Sequence, residues 1–324
     1  MDAPSWLWIA FTLTAGAVQT VRNAMQRHLT ERLGTIGATH VRFLFGLPFG
    51  LALLAGSWSV FGVDGLEPSW RFLAWAGGGA VAQIAATALM LATMRERSFV
   101  VATAYVKTEP VLIAIFGLLF LGERLGAQGN VGVLVATAGV MLMSWPGAAT
   151  RQTARAAGSG GTPGTAPTDM PPAVSESAAW LRPALYGVAS GGLFALAAVG
   201  FRGGILALGD APFHVRATTT LAASLVIQTA LLTTWLLARS PGVLREILRA
   251  WRPSLVAGAA GAFASQFWFL AFSLQTAAAV RTLGLVELLY AQIASRKLFS
   301  QRLSPREAGG LAMMVVGLVL LING

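Results

Sequence analysis

The chain has 324 residues, of which 55% are hydrophobic and only 11% charged, with a mean hydropathy of +0.67; this excludes a soluble globular domain and identifies an integral membrane protein. The formal net charge of +10 lies in short connectors between apolar runs rather than in a basic domain, which excludes nucleic acid as the partner. With no Cys, disulfides, thiolate metal sites and cysteine nucleophiles are excluded as well.

Apolar stretches of about 20 residues recur along the chain, the length a helix needs to cross the hydrocarbon layer, and no strand-length alternation signals a barrel. Span 1 is predicted over 5–25; only Asp2 and no basic residue precedes it, so it reads as a retained helix rather than a cleaved leader. Span 2 (37–61) opens on "THVRF", which sets His40 and Arg42 ahead of an uncharged run. Span 3 (71–94) carries Gln83, and span 4 (98–121) carries Tyr105, Lys107, Glu109 and Pro110. After the Gly-rich span 5 (127–146) comes "RQTARAAGSGGTPGTAPTDMPPAVSES", whose composition cannot bury a core and predicts a flexible linker. Span 6 covers 180–206. Span 7 (212–238) opens on "FHVRA", with His214 and Arg216; span 8 (254–274) carries Gln266 and Trp268. Span 9 (277–299) carries Arg281, Gly284, Glu287, Tyr290 and Gln292, and span 10 covers 305–323.

The linker divides the chain into two five-span units, 1–146 and 179–324, joined by 147–178. Six matches fall in the same order in both. "AVQTVR" (17–22) pairs with "AAVGFR" (197–202), "HVR" (40–42) with "HVR" (214–216), and "WR" (70–71) with "WR" (251–252). "AGGGAVAQ" pairs with "AGAAGAFASQ", ending on Gln83 and Gln266, and "VKT" (106–108) with "VRT" (280–282). From Glu109 and Glu287 onward, "EPVLIAIFGLLFLGERL" and "ELLYAQIASRKLFSQRL" align without a gap. An odd number of spans per unit inverts the second copy in the membrane, the plan of many secondary transporters.

Residues 108–142, "TEPVLIAIFGLLFLGERLGAQGNVGVLVATAGVML", carry a mid-helix Glu-Pro, a Gly-Glu-Arg-Leu turn and a Gly-rich fifth span. In these features the chain resembles the drug/metabolite transporter superfamily, specifically its EamA-type ten-helix members. The counterpart at 286–320 fits more loosely, with Leu288 in place of the Pro and "SQRL" in place of "GERL". The resemblance implies an all-α polytopic fold of two inverted five-helix repeats and export of small metabolites, amino acids first. It identifies no substrate.

Positive charge orients the chain. Connectors 1–2, 3–4, 5–6, 7–8 and 9–10 hold sixteen Lys and Arg residues, Arg22 counted among them, against five on the other side, which places the linker in the cytoplasm and both termini outside. The family is usually drawn with cytoplasmic termini.

Some charges are not explained by topology. Lys107, Glu109 and Glu287 lie near the bilayer midplane, where ionisable groups cost about 3 kcal/mol each on insertion scales, turn inward and mark substrate or ion pathways. Lys107 and Glu109 are two apart on a helix and so face away from each other. Pro110 disfavours helical geometry at Glu109 and frees a carbonyl, which predicts a discontinuous helix around a cavity. Gly284 either loosens span 9 or serves as a packing contact.

The candidate substrate-binding set is Lys107, Glu109, Glu287, Arg281, Gln83, Gln266, Tyr105, Tyr290 and Trp268. For any single Gln, an interhelical hydrogen bond is the competing reading. His40, Arg42, His214 and Arg216 are read as matched gate elements at the two cavity mouths, with Pro110 as the helix break. "GSGGTPGT" lacks the Lys-Ser/Thr of a phosphate loop and the His spacing suits no metal, so neither cofactor nor metal is expected, and the chain is not read as an enzyme.

The sequence therefore predicts a monomeric secondary transporter of the bacterial inner membrane. It exports small metabolites, amino acids or related zwitterions, by alternating access, with a cavity carboxylate coupling transport to protons. An exchanger of anionic metabolites is the alternative, and a non-transporting scaffold or receptor is the alternative of a different class.

Overall fold

The computed structural model describes residues 3–96, 106, 108–144, 176–290 and 304–324, with side chains undescribed at 24, 26–28, 31, 32, 94–96, 144 and 176–184. Most of the linker, the start of span 4 with Tyr105, Lys107, and the end of span 9 with Gln292 lie outside the described residues.

Among the described residues every regular element is a helix. In chain order they are α1 (Leu7–Leu44), α2 (Leu47–Phe61), α3 (Trp70–Glu96), α4 (Glu109–Phe116) continuing as a π-turn (Gly117–Leu121), and α5 (Ala127–Ser144). The second half has α6 (Glu176–Leu206), α7 (Phe213–Arg239), the short α8 (Pro241–Arg249), α9 (Trp251–Leu274), α10 (Ala277–Leu283) continuing as a 3-10 turn (Gly284–Val286), and α11 (Pro305–Ile322). Each predicted span coincides with helix in its described part. Leu33–Phe61, Trp70–Thr93, Leu185–Leu206, Phe213–Arg239, Trp251–Leu274 and Pro305–Ile322 are long and apolar enough to cross a membrane, and Glu109–Leu121 and Ala127–Met143 are shorter apolar helices.

Two predicted boundaries move. The expected connector after span 1 is helical, because α1 runs on to Gly34 (φ 69, ψ 178). Charged "QRHLTERL" ends the apolar run but contains good helix formers and neither Gly nor Pro, so charge ends the membrane-compatible stretch without ending the helix. Gly34 breaks it because its positive φ is strained for any residue with a Cβ. Helix α6 begins at Glu176, inside the segment predicted as linker.

The closest packing joins α3 to α6, α1 to α9 and α5 to α11, with α2 against α7 and α4 against α10. Exchanging the two halves turns the α3/α6 pair into α9/α1 and maps the α5/α11, α2/α7 and α4/α10 pairs onto themselves. Lipid is as apolar as Leu, so these helices associate through close backbone approach. A Cβ on Gly200 would lie 2.9 Å from the Gly79 Cα, and one on Gly132 would lie 2.7 Å from the Gly317 carbonyl oxygen. Large apolar side chains such as Val60, Trp70, Leu119 and Val319 face outward, as a lipid-contacting surface requires.

Candidate functional site

The site begins where α4 begins. Pro110 stands in the first turn, where its missing N–H breaks no hydrogen bond, and Glu109 is buried beside it. Opposite, Thr276 caps α10 by accepting from the Ala279 N–H, and that helix carries Arg281. Arg281 donates from Nε and Nη2 to the two carboxylate oxygens of Glu109, each at 2.8 Å, in a two-pronged pair across the halves.

From this pair a polar chain crosses the bundle. The Arg281 guanidinium lies 4.5 Å from the centroid of the Trp268 ring. Trp268 Nε1 donates to Gln19 Oε1 at 3.0 Å, and Gln19 Nε2 donates to Glu287 Oε2 at 2.7 Å. Gly284 leaves the space that the Trp268 indole fills, and the 3-10 turn also starts there, so both readings of this glycine hold.

These groups line a cavity of about 120 Å³. An apolar cavity of about 150 Å³ holds benzene, so this one accommodates a small solute or a few waters. Arg22, Asn23, Arg42 and Gln83 complete its polar wall, and Phe201, Phe269 and Phe272 form much of the apolar one. On α9 the lining residues are Ser265, Trp268, Phe269 and Phe272, one helical stripe. On α1, Gln19, Arg22 and Asn23 form a second stripe.

Outside the cavity lining, next to Phe272, stands a salt bridge. The π-turn and Gly122, at φ 67, bring Glu123 back toward the bundle, where Arg202 Nε donates to Glu123 Oε1 at 2.7 Å. Arg202 also donates to the Phe272 carbonyl, and the Ala277 N–H donates to Glu123 Oε2 at 3.2 Å. This knot ties the connector after span 4 to α6 and to the junction between α9 and α10.

Of the sequence-predicted residues, Glu109, Glu287, Arg281, Gln83 and Trp268 meet at the cavity, and Arg42 joins them from the predicted gate set. Lys107 and Tyr105 lie outside the described residues. Gln266 is not among the cavity lining: it sits one position off the α9 stripe and donates to Thr218 Oγ1 on α7 at 2.8 Å. Tyr290 packs on α1, its hydroxyl 3.4 Å from the Leu13 carbonyl. Gln83 accepts from Gln228 at 2.8 Å, so the competing interhelical reading holds for it alongside its place in the wall.

The two HVR copies diverge. His40 Nε2 on α1 lies 3.0 Å from Thr233 Oγ1 near the end of α7, and His214 at the start of α7 packs on Phe61 of α2 with ring centroids 3.9 Å apart, so the histidines serve different helix pairs at opposite ends of α7. Arg42 faces the cavity, whereas Arg216 reaches the Gly209 carbonyl at 3.4 Å in the connector after α6. Arg22 and Asn23 are not in the predicted set, and Gln19 reads from the sequence only as a further buried amide. The available signal for Arg22 is its match with Arg202 in the second half.

The model of the EamA-like transporter family matches residues 6–145, from α1 through α5. Over that stretch, which is less than half of the chain, the sequence is similar to the family. The matched family is one of membrane transporters, and with its six membrane-length apolar helices among the described residues the chain is a multi-pass integral membrane protein. A protein of known crystal structure, described in general terms, superposes with a TM-score of 0.64 at 17% identity, over 97% of this chain and 94% of that one. This likeness shows the fold alone, and it spans both halves of the chain. No curated protein matches the sequence.

Proposed function

We propose that the protein is a secondary active transporter of the bacterial inner membrane. It exports small organic metabolites, amino acids or related zwitterions, by alternating access between two inverted five-helix repeats. The observation that carries this reading is the cavity itself: small, ionic and lined by helices of both halves. The exchange of helix pairs between the halves supports the repeats, because a pseudo-symmetric bundle has two equivalent ways of opening. Proton coupling would run through a cavity carboxylate.

Counterflow of a labelled metabolite into proteoliposomes tests the reading, and a pH gradient tests the coupling. A metabolite that exchanges only in protein-containing vesicles is the expected result. No counterflow of any solute would favour a scaffold or receptor. The exchanger of anionic metabolites stays as a second reading because three guanidiniums, those of Arg22, Arg42 and Arg281, line the cavity against two described carboxylates.

A further inference from the structure

Arg22 and Arg42 are among the buried charged residues, with only 6% and 8% of their surfaces exposed, and both line the cavity. Their side chains converge on one point of α9: a Cβ on Gly261 would lie 3.3 Å from Arg42 Cγ and 3.5 Å from Arg22 Cδ. The described ion pairs are Arg281 with Glu109 and Arg202 with Glu123; neither Arg22 nor Arg42 has a carboxylate partner among the described residues. Arg22 turns Nε and Nη2 to the neutral Asn23 side chain, at 3.3 and 2.7 Å, and Arg42 lies 5.4 Å from the Phe43 ring centroid.

Two like charges removed from water and left unpaired are costly, and an anion between them supplies what the protein does not. A guanidinium presents its donors in a planar fork that matches a carboxylate. The cavity volume limits the ligand to a handful of heavy atoms.

Building on the transporter reading, we infer that Arg22 and Arg42 form an anion subsite that holds the carboxylate of a small substrate. This moves the recognising cations from Lys107 and Arg281 to a pair on spans 1 and 2. Arg281 is occupied by Glu109 and acts as a wall of the site.

The test uses purified full-length protein with malonate, and malonamide as an uncharged ligand of the same shape. Binding is read by calorimetry and by thermal shift at constant ionic strength. Saturable malonate binding without malonamide binding is expected, with affinity about tenfold or more weaker in R22Q and R42Q. R22K and R42K, which keep the charge and lose the fork, should fall between, and R245Q, on the exposed face of α8, should bind as the wild type does.

Without ligand, R22Q and R42Q should melt no lower than the wild type, since each removes an unpaired buried charge; a packing role predicts lower melting. The subsite is overturned by absent malonate binding, by equal malonamide binding, by unchanged affinity in R22Q and R42Q, or by lower melting of both without ligand. Counterflow separates the two readings: counterflow with wild-type affinity in R22Q and R42Q removes the subsite and leaves the transporter. Arg-dependent malonate binding without counterflow of any solute does the reverse.

Discussion

Arg202 and Arg22 close the same six-residue match in the two halves, yet their surroundings differ in kind. Arg202 has a carboxylate, Glu123, and a carbonyl, that of Phe272. Arg22 has the side chain of its own neighbour. The gap-free alignment of 109–125 with 287–303 traces the difference to one substitution: Gln301 stands where the repeat would supply the counterpart of Glu123. Gln301 lies outside the described residues, but an amide carries no charge wherever it sits. One of the two matched arginines is therefore paired with a fixed carboxylate, and the other has no carboxylate partner among the described residues. The acid-to-amide difference between positions 123 and 301 is where the two copies part.

The largest effect should follow from breaking the completed pair. Glu123→Gln leaves the mostly buried Arg202 without its counter-ion and weakens the cap on the Ala277 N–H. Removing one partner of such a pair costs about 3 kcal/mol. Urea unfolding in detergent micelles should show that loss, and the Glu123→Gln, Arg202→Gln double variant should lose less than the sum of the singles, because they share one interaction. Additive losses would mean that the two side chains do not act jointly.

Next comes the cross-half pair inside the cavity. Arg281→Lys keeps the charge but loses both the two-pronged contact with Glu109 and the planar face over Trp268. A loss of about 1–2 kcal/mol in the same unfolding assay is expected. Counterflow should fall with it, because the wall formed by Arg281, Trp268 and Gln19 no longer holds its shape. Full retention of both would reduce the Glu109–Arg281 pair to an incidental contact.

The smaller third effect sharpens the comparison by filling in the missing acid. Gln301→Glu restores at the Arg22 end the residue type found at the Arg202 end. If the copies correspond as aligned, the new carboxylate competes with the ligand for Arg22, and malonate affinity should fall about three- to tenfold, roughly 1 kcal/mol. Unchanged affinity would show that position 301 does not stand to Arg22 as Glu123 stands to Arg202.

What could be read in advance follows from the range of the signal. Apolar runs and the Pro110 break are local patterns: six of the runs reappear at membrane length among the described residues, and the break reappears as the start of α4. The pairing of Arg281 with Glu109 spans 172 residues, and no periodicity reports a contact of that separation. Gln266 looked equivalent to Gln83 by repeat position, yet a shift of one residue rotates a helical side chain by about 100°, enough to turn it from the cavity stripe to Thr218. Arg22 was missed for a different reason. The positive-inside rule explains a cation at a helix end so readily that a second role goes unsought, and α1 continuing to Gly34 shows that position 22 was never an end.

The smallest expected effect concerns the HVR copies, where the same asymmetry recurs one span later. Arg42 faces the cavity, while Arg216 makes one long contact, 3.4 Å, to the Gly209 carbonyl and leaves its buried Nε without a partner. A hydrogen bond that long contributes little, and removing an unsatisfied donor relieves a cost, so Arg216→Ala should change unfolding by less than about 1 kcal/mol. Malonate affinity in that variant should equal that of the wild type. Arg42→Ala should weaken it as Arg42→Gln does. The histidines divide differently: His40 joins α1 to α7 and His214 joins α7 to α2, so their loss should act on stability alone and leave affinity untouched. Equal loss of affinity in Arg216→Ala and Arg42→Ala would restore the symmetric view, in which both HVR copies serve the cavity alike.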